Sequence, residues 1–515
     1  MPSGQTGGPP DVVSRRGALG RVAECVGAIV TAAAAEQASA AVERAAEPEG
    51  WYARRSSCVS GNRLVGAASD AALAPRTLAR EIYLPRSAEE IAEVVRALPA
   101  GTPVASVCGG HESSNAATLA SREAVILDLA RLDGIDFHEE GGEALVTVGA
   151  GVVFKPLVEA VRARQGALPV GTGPDVGVVG YLVNGGLSGY FSRRLGLLGQ
   201  RVTRMTVVTA AGEIRVLTPD DELFTAMLGA GSALAIVVDV TLRLAPERVV
   251  RGAEQRVIAF TTRDEAVAFA REALRFQRDT VLPDESVSME LVVAGTKVLV
   301  VTVVCYDSFP GSPAAFVKPL EDLAARHGLA VVASSHLGSW YETAAALWPV
   351  IEGMKGSPLA MLQHSVGTVD APGDAILDFV CDGVIAGAPL DEAPLSIVEI
   401  RTLGAAIAAG RALPTGNCHH RFFCDLIVLY DAQGTSAAER GAIAEGAARV
   451  MAEARRVEGL SIDSSGTHSQ PDDPVGAPAP AEIFGTAAMA GMIARLKAQV
   501  DPGNRFRFHP YAKFL

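Results

Sequence analysis

Positive charge is scarce in this chain of 515 residues, which has 45 Lys and Arg against 58 Asp and Glu and a net charge of −13. No basic stripe stands out that could neutralise a phosphate backbone, which disfavours a nucleic-acid role. Aromatic residues are few, at 5%. No uninterrupted apolar run approaches the roughly 18 residues a membrane helix needs, so no integral membrane segment is expected. Cysteine is sparse and scattered: the seven are Cys25, Cys58, Cys108, Cys305, Cys381, Cys418 and Cys424. They form no metal-like CxxC pair, no metal site is expected, and their odd number argues against a disulfide framework. Cys305 lies in the apolar run Val301–Cys305 and reads as a buried small residue. A Cys418–Cys424 bridge is conceivable from proximity but is not expected.

What is present is abundant Ala, Val and Gly, in a chain long enough for two domains or more. The first 45 residues stand apart. Ser14-Arg15-Arg16-Gly17 precedes an Ala- and Val-rich stretch ending near Ala38-Ser39-Ala40. That pattern reads as a twin-arginine export signal or, because Arg21 and Glu24 interrupt it, as an Ala-rich helix or tail. A cytoplasmic and an exported location both stay open, as do a monomer and a homodimer.

From about residue 75 to 250, strand and helix signals alternate. Glu81–Pro85 reads as a short strand. Ser87-Ala88-Glu89-Glu90 is a capping box opening a helix to about Leu98. Thr102–Val107, Ala124–Leu129 and Glu143–Gly149 read as strands, and Phe154–Gln165 as a helix. A glycine-rich stretch follows from Gly171 to Gly189, then a hairpin over Arg204–Leu217 that turns near Ala211-Gly212. After Pro246 come the strands Ser286–Val293, Lys297–Tyr306, Ser396–Thr402 and Phe422–Tyr430. They are interleaved with amphipathic helices, which suggests an open antiparallel sheet covered on one face. Asp463–Pro480 reads as a surface loop, and a last helix spans about Ala487–Val500. Alternation puts Asp239 on a solvated face.

The most informative stretch is Val107-Cys108-Gly109-Gly110-His111. Two glycines after a strand let backbone N–H groups approach phosphate oxygens, and the histidine sits where the rest of such a ligand must lie. Together with later motifs in a fixed order, this resembles FAD-linked oxidoreductases of the vanillyl-alcohol-oxidase type, with a PCMH-type FAD-binding domain, and within them the berberine bridge enzyme-like branch. The motifs are Val125–Leu129 with Gly134-Ile135, Gly171–Gly180, Gly185-Gly186 through Arg193-Arg194-Leu195-Gly196, Glu222–Phe224, Leu228–Gly231, Ile236–Val238, and Val500–Phe508. Two departures stand out: Leu187 replaces a glycine frequent in relatives, and Ile483–Thr486 replaces a Tyr-Tyr-Gly-like motif.

The resemblance implies an α+β fold: a two-subdomain FAD-binding domain over 46–250 and a substrate domain over 251–475, whose antiparallel sheet is covered by helices. A C-terminal segment, 476–515, would return to the FAD domain. It implies FAD held by Val107, Cys108, Gly109, Gly110, His111, Glu112, Ser113 and Asn115. The second loop would add Gly171, Thr172, Gly173, Pro174, Val176, Gly177, Val178 and Gly180, and the later segments Gly186, Ser188, Gly189 and Ile236. His111 would carry the flavin covalently. Many relatives add a cysteine tether at the position of Gly173, so a single link is expected here.

Glu399 and Arg401 are two apart on the strand Ser396–Gly404 and therefore share a face. The family's catalytic base comes from this strand. Arg401 aligns with it and Glu399 lies one pleat away. Glu399 is the expected base, with Arg401 an anion anchor or the group that holds Glu399 ionised; a structural ion pair is the competing reading. Thr172 is a candidate for the side of the flavin where oxygen reacts. Asp425, Tyr430 and Glu290 are weaker candidates, His419-His420-Arg421 reads as a structural turn, and His336 and His364 as packed or solvated. The expected activity is oxidation of a mid-sized organic molecule of specialised metabolism, with O2 as acceptor. The Glu-x-Arg-x-Leu-Gly strand and the missing cysteine also resemble enterocin-type polyketide flavin oxygenases, which makes oxygenation the alternative. A flavin-binding protein without turnover is the third reading.

Overall fold

The computed structural model describes residues 79, 81–110, 123–354, 359–431, 434–463 and 479–507. His111, Glu112, Ser113 and Asn115, the first 45 residues and most of the loop expected over Asp463–Pro480 lie outside the described residues.

The first described elements form a three-stranded parallel sheet of β1 (Glu81–Tyr83), β2 (Val104–Val107) and β3 (Val125–Asp128), in the order β1-β3-β2. The helix Ala88–Ala97 crosses between β1 and β2. Its Ser87 side chain accepts a hydrogen bond from Glu90 N–H, as the capping box requires, while the Glu90 carboxylate reaches back to Arg86 N–H at 2.7 Å rather than to Ser87. Ile91, Ala92 and Val95 form its buried stripe.

Strands β4 (Ile135–Glu140) and β5 (Glu143–Gly149) start an antiparallel sheet, and β6 (Gly166–Ala167) stands aside from it. Strands β7 (Val202–Val208), β8 (Ile214–Leu217) and β9 (Ile236–Arg243) complete it in the order β4-β5-β9-β7-β8, while β6 pairs with β10 (Ala245–Pro246). The β7–β8 hairpin turns through Gly212, whose φ of +77° favours glycine. Asp239, on the central strand β9, is half-buried and accepts a hydrogen bond from Thr206 Oγ1 at 3.0 Å. Burial raises its pKa. The face expected to be solvated is therefore partly covered.

The second region is one antiparallel sheet of eight strands: β11 (Val250–Ala259), β12 (Val287–Ala294), β13 (Val298–Tyr306), β14 (Ala330–Leu337), β15 (Leu359–Thr368), β16 (Ile397–Thr402), β17 (Phe422–Asp431) and β18 (Ser461–Asp463). Their order is β14-β11-β13-β12-β16-β17-β15-β18. Met289, Leu291 and Val293 of β12, with Val398 and Ile400 of β16, join a core shared with the helices Arg263–Phe276, Pro313–Arg326 and Ala437–Ala454. The alternate residues face the other way, toward the glycine-rich stretch.

Four of these strands, β11, β14, β15 and β18, are not among those read from the sequence. In β11 the polar run Glu254-Gln255-Arg256 is buried because it is paired internally: Arg256 binds Glu254 at 2.9 Å and Glu321 at 2.6 Å, and Gln255 donates to Thr302 at 3.1 Å. In β15 the interruption is Gln363-His364-Ser365, of which Gln363 and Ser365 serve the site described below. Among the described residues no disulfide joins any of Cys108, Cys305, Cys381, Cys418 and Cys424, so Cys418 and Cys424 form no bridge, and Cys305 is fully buried.

One buried arginine joins the two regions, and the C-terminal segment is tied to the first of them. Arg193, whose side chain is fully buried, donates from Nε to Val287 O (2.8 Å), from Nη1 to Leu403 O, and from Nη2 to Leu282 O (2.8 Å). At the C-terminal end, Arg505 O accepts from Val104 N–H at 2.9 Å, and Arg505 Nη1 donates to Val95 O at 2.5 Å. Buried Lys497 bonds Ala233 O and Asp501, both at 2.7 Å.

Candidate functional site

Three glycine-containing segments converge. The first leaves β2 as Val107-Cys108-Gly109-Gly110, with Gly110 at φ +70°. The second, Gly171–Gly177, is laced to the residues that open the helix Phe154–Ala163: Lys155 N–H donates to Pro174 O at 2.8 Å, Phe154 N–H to Val176 O at 3.0 Å, and Val178 N–H to Val152 O at 3.0 Å. These two segments meet backbone to backbone. A methyl added at Gly109 would lie 2.4 Å from Gly177 N, and one added at Gly177 2.5 Å from Gly109 N. Neither position has room for a side chain.

The third segment is Gly185–Gly189. Tyr181 links it to the second: a methyl on Gly171 would sit 3.1 Å from one edge of its ring, and a methyl on Gly186 3.2 Å from the other. The Tyr181 hydroxyl donates to Leu187 O, and Phe154 packs edge-on against the ring at 5.0 Å. Ser188 is buried, and its N–H donates to Ser192 Oγ at 2.8 Å.

Gly189 meets the polar face of the eight-stranded sheet. A methyl there would lie 2.7 Å from Glu290 Oε1 and 2.8 Å from Arg401 Nε. Strand register explains what gathers at this point: Glu290 on β12 is opposite Arg401 on β16, and Glu399 on β16 is opposite Asp425 on β17. Asp425 is in turn opposite Ser365 on β15. Arg401 donates from Nε to Glu290 at 2.6 Å and from Nη2 to Glu399, while its Nη1 lies 3.8 Å from Asp425. Ser365 Oγ donates to Asp425 Oδ1 at 2.5 Å and Gln363 Nε2 to Asp425 Oδ2 at 2.8 Å.

One guanidinium thus faces three carboxylates, all largely buried. Burial pushes the Glu399 carboxyl up to about 7; Arg401 opposes this, and the neighbouring charges of Glu290 and Asp425 reinforce it. Burial works against the charged form of Arg401, but the three carboxylates outweigh it and raise its pKa. Tyr190, next to Gly189, is held neutral by burial and by the charge of Glu290.

The sequence candidates are therefore distributed as follows. Val107, Cys108, Gly109, Gly110, Gly171, Thr172, Gly173, Pro174, Val176, Gly177, Val178, Gly186, Ser188 and Gly189 lie on the three converging segments, Thr172 half-buried beside Gly171. Gly180 faces open space within the short helix Val178–Leu182, and Ile236 is buried at the start of β9. Glu399 and Arg401 are in direct contact. All three nitrogens of Arg401 face carboxylates, which fits a partner of Glu399 and leaves the fork badly placed to anchor an anion. Glu290 and Asp425, rated weaker from sequence, belong to the same set. Tyr430 is buried and sits opposite Ala360. His336 Nδ1 lies 2.7 Å from Glu254, and His420 Nε2 3.1 Å from Ser461 Oγ, both away from this point. Sequence reasoning missed Tyr181, Gln363 and Ser365. Only the interruption of an apolar run by Gln363-His364-Ser365 could have flagged the last two.

Among the described residues, Asn184 Oδ1 and Thr415 Oγ1 are buried without a hydrogen-bond partner. Both border Gly185, where an added methyl would lie 3.0 Å from Thr415 Cγ2. Unpartnered buried polar atoms beside segments that exclude side chains fit a polar ligand laid closely along the backbone.

A family model described as FAD binding domain matches residues 79–218. (R)-6-hydroxynicotine oxidase of Paenarthrobacter nicotinovorans is 32% identical over 161 residues, 31% of this chain and 34% of that protein. Berberine bridge enzyme-like 12 of Arabidopsis thaliana is 33% identical over 128 residues, 24% of each. The chain thus matches about a third or less of the length of these two relatives. In three dimensions it resembles a VAO-type flavoprotein from Myceliophthora thermophila C1, with a TM-score of 0.67 and 18% identity over 84% of this chain and 79% of that one.

Proposed function

The chain carries an FAD binding domain within a vanillyl-alcohol-oxidase-type fold, and from that premise we propose that it is an FAD-dependent oxidoreductase acting on a mid-sized organic molecule of specialised metabolism, with O2 as final electron acceptor. The observation that carries the reading is the contact of Gly189, on a cofactor segment, with the Glu290–Arg401 pair on the sheet that bears Glu399. It brings the cofactor segments and a titratable carboxyl to one place.

Residues 46–250 form the cofactor domain, 251–475 the substrate domain, and 476–515 the returning segment. The cofactor lies along Val107–Gly110, Gly171–Gly177 and Gly185–Gly189. Bound FAD supplies the two-electron acceptor. His111 follows Gly110 directly and provides the single covalent link; a neutral imidazole nitrogen is a competent nucleophile near pH 7. Tethering keeps the cofactor in a site whose glycines leave little else to grip it. Thr172 lies on the side where oxygen reacts.

Glu399 takes the proton of the substrate group being oxidised. A carboxyl that titrates near neutrality is matched to this task, because it is ionised often enough to accept a proton and basic enough to keep it. Arg401 orients Glu399 and stabilises its charged form. The low exposure of the set limits water, which strengthens each charge interaction.

Acid precipitation of the purified protein tests the tether. The pellet stays yellow in the wild type and is colourless in His111→Ala. Anaerobic mixing with a panel of alcohols, phenols, sugars and amines tests turnover. One member bleaches the flavin, and on readmission of labelled O2 the label appears in hydrogen peroxide and not in the product. A colourless protein, or colour that leaves entirely on unfolding, refutes the reading.

A further inference from the structure

A carboxylate in a private contact with an arginine is a poor base: the pair stays ionised far below neutral pH and holds its charge tightly. Glu399 is not in that position. Its arginine is shared, and the sharing is built by strand register, with Glu290 opposite Arg401 on one side and Asp425 opposite Glu399 on the other. Glu290 takes the Nε edge of the guanidinium at 2.6 Å. Asp425 is held by Ser365 and Gln363 and stands 3.8 Å from Nη1, close enough to act through its charge while its hydrogen bonds go elsewhere.

We propose that Glu290 and Asp425 are positioning residues that divide the Arg401 guanidinium among three carboxylates, so that Glu399 is free to exchange its proton instead of remaining locked in an ion pair. The proposal rests on Glu399 being the base but concerns two residues to which that reading gives no role. Gly189 belongs to the same device, since any side chain there would displace Glu290 Oε1 and Arg401 Nε.

The groups facing Glu399 are Arg401 on its own strand, Glu290 on β12, Asp425 on β17, and Tyr190 beside Gly189; Cys424, opposite Ile400, points to the other face of the sheet. Burial and the two carboxylates act in one direction, toward the protonated form, and Arg401 in the other. Neutralising Glu290 or Asp425 removes a negative neighbour and leaves more of Arg401 to Glu399. The proton is then held less tightly. A like charge at this range in a protein of effective dielectric about 20 is worth on the order of one pH unit, a tenfold change in the acidity constant.

The test needs no substrate. Urea unfolding midpoints of the flavin-loaded protein are measured between pH 5 and 8.5 for the wild type, Glu399→Gln, Glu290→Gln and the double variant. The wild type minus Glu399→Gln difference isolates the Glu399 titration, and Glu290→Gln minus the double variant isolates it again without the Glu290 charge. The upper end of that pH dependence, near 7 in the wild type, falls by on the order of one unit in the Glu290→Gln background. A purely structural Glu290 would lower the midpoint at every pH alike and leave that end unmoved, which overturns the proposal. So does a wild type that shows no Glu399-dependent component. Should Glu290→Gln fail to fold, Asp425→Asn gives the same readout, with the same direction expected. Failure of the base reading is separate: it appears as substrate-driven flavin reduction that survives Glu399→Gln, whatever the titration does.

Discussion

Arg193 should be the costliest single polar side chain to remove from this protein. It sits on the short helix Ser192–Leu195, directly after the segment Gly185–Gly189, yet all of its strong bonds go to the other region. Its side chain is fully buried and serves the carbonyls of Val287, Leu403 and Leu282, with longer approaches to Val281 O (3.2 Å) and Asp284 O (3.4 Å); Glu285 lies 3.6 Å away. Methionine at position 193 would fill much the same volume without a donor. Each buried carbonyl left unmet costs about 1–3 kcal/mol. The desolvation of the guanidinium, no longer needed, offsets part of that sum. The net loss expected for Arg193→Met is roughly 3–5 kcal/mol. Urea unfolding followed by far-ultraviolet circular dichroism should show the midpoint falling by on the order of 1 M. Flavin fluorescence, followed in parallel, should rise no later than the dichroism changes, because Ser192 also holds Ser188 on the segment Gly185–Gly189 proposed to carry the cofactor. Arg193→Lys should recover only part of the loss, since an ammonium cannot reach three separated carbonyls in one plane. An unfolding free energy for Arg193→Met within about 1 kcal/mol of the wild type would refute the idea that this side chain pins the two regions.

Other perturbations have equally definite outcomes. Glu399 has a folded pKa raised from 4.5 to about 7, so its contribution to stability is complete below the unfolded value and lost as pH rises through the folded one. At about 1.36 kcal/mol per pH unit the interval is worth roughly 3 kcal/mol, and Glu399→Gln, compared with the wild type, should gain by about that amount between pH 5 and pH 8 in unfolding midpoints; a constant difference across pH would contradict the assignment. Gly177→Val should abolish flavin retention, measured as the ratio of 450 nm to 280 nm absorbance, because the nearest atom to a Cβ there is backbone at 2.5 Å. Gly180→Ala serves as its control: with nothing within 4 Å of the new methyl, flavin content should be unchanged. Gly189→Ala should leave secondary structure intact by circular dichroism while changing the pH at which Glu399 titrates, since the added methyl falls on Glu290 and Arg401.

Local chemistry was readable from the chain alone wherever neighbours in sequence decide the outcome. The Ser87 cap, the hairpin through Gly212 and the helix Ala487–Val500 all formed where short-range signals put them. Glu399 and Arg401 share a face because strand alternation has a period of two. By contrast, β11 and β15 hide their strand character behind polar residues whose partners are distant. The Arg401–Glu290 bond spans 111 residues of sequence, and nothing local marks Glu290 as its partner.

By itself, then, the sequence determined the glycine turns, the alternating strands and the presence of one carboxylate and one guanidinium on a shared face. Those features depend on φ/ψ preferences and on periodicity, which act over a few residues. Only the tertiary structure decided that Gly109 meets Gly177, that Gly189 abuts Arg401, and that three carboxylates divide one cation. Those contacts depend on strand order and register in an eight-stranded sheet, which burial of the whole core selects at once.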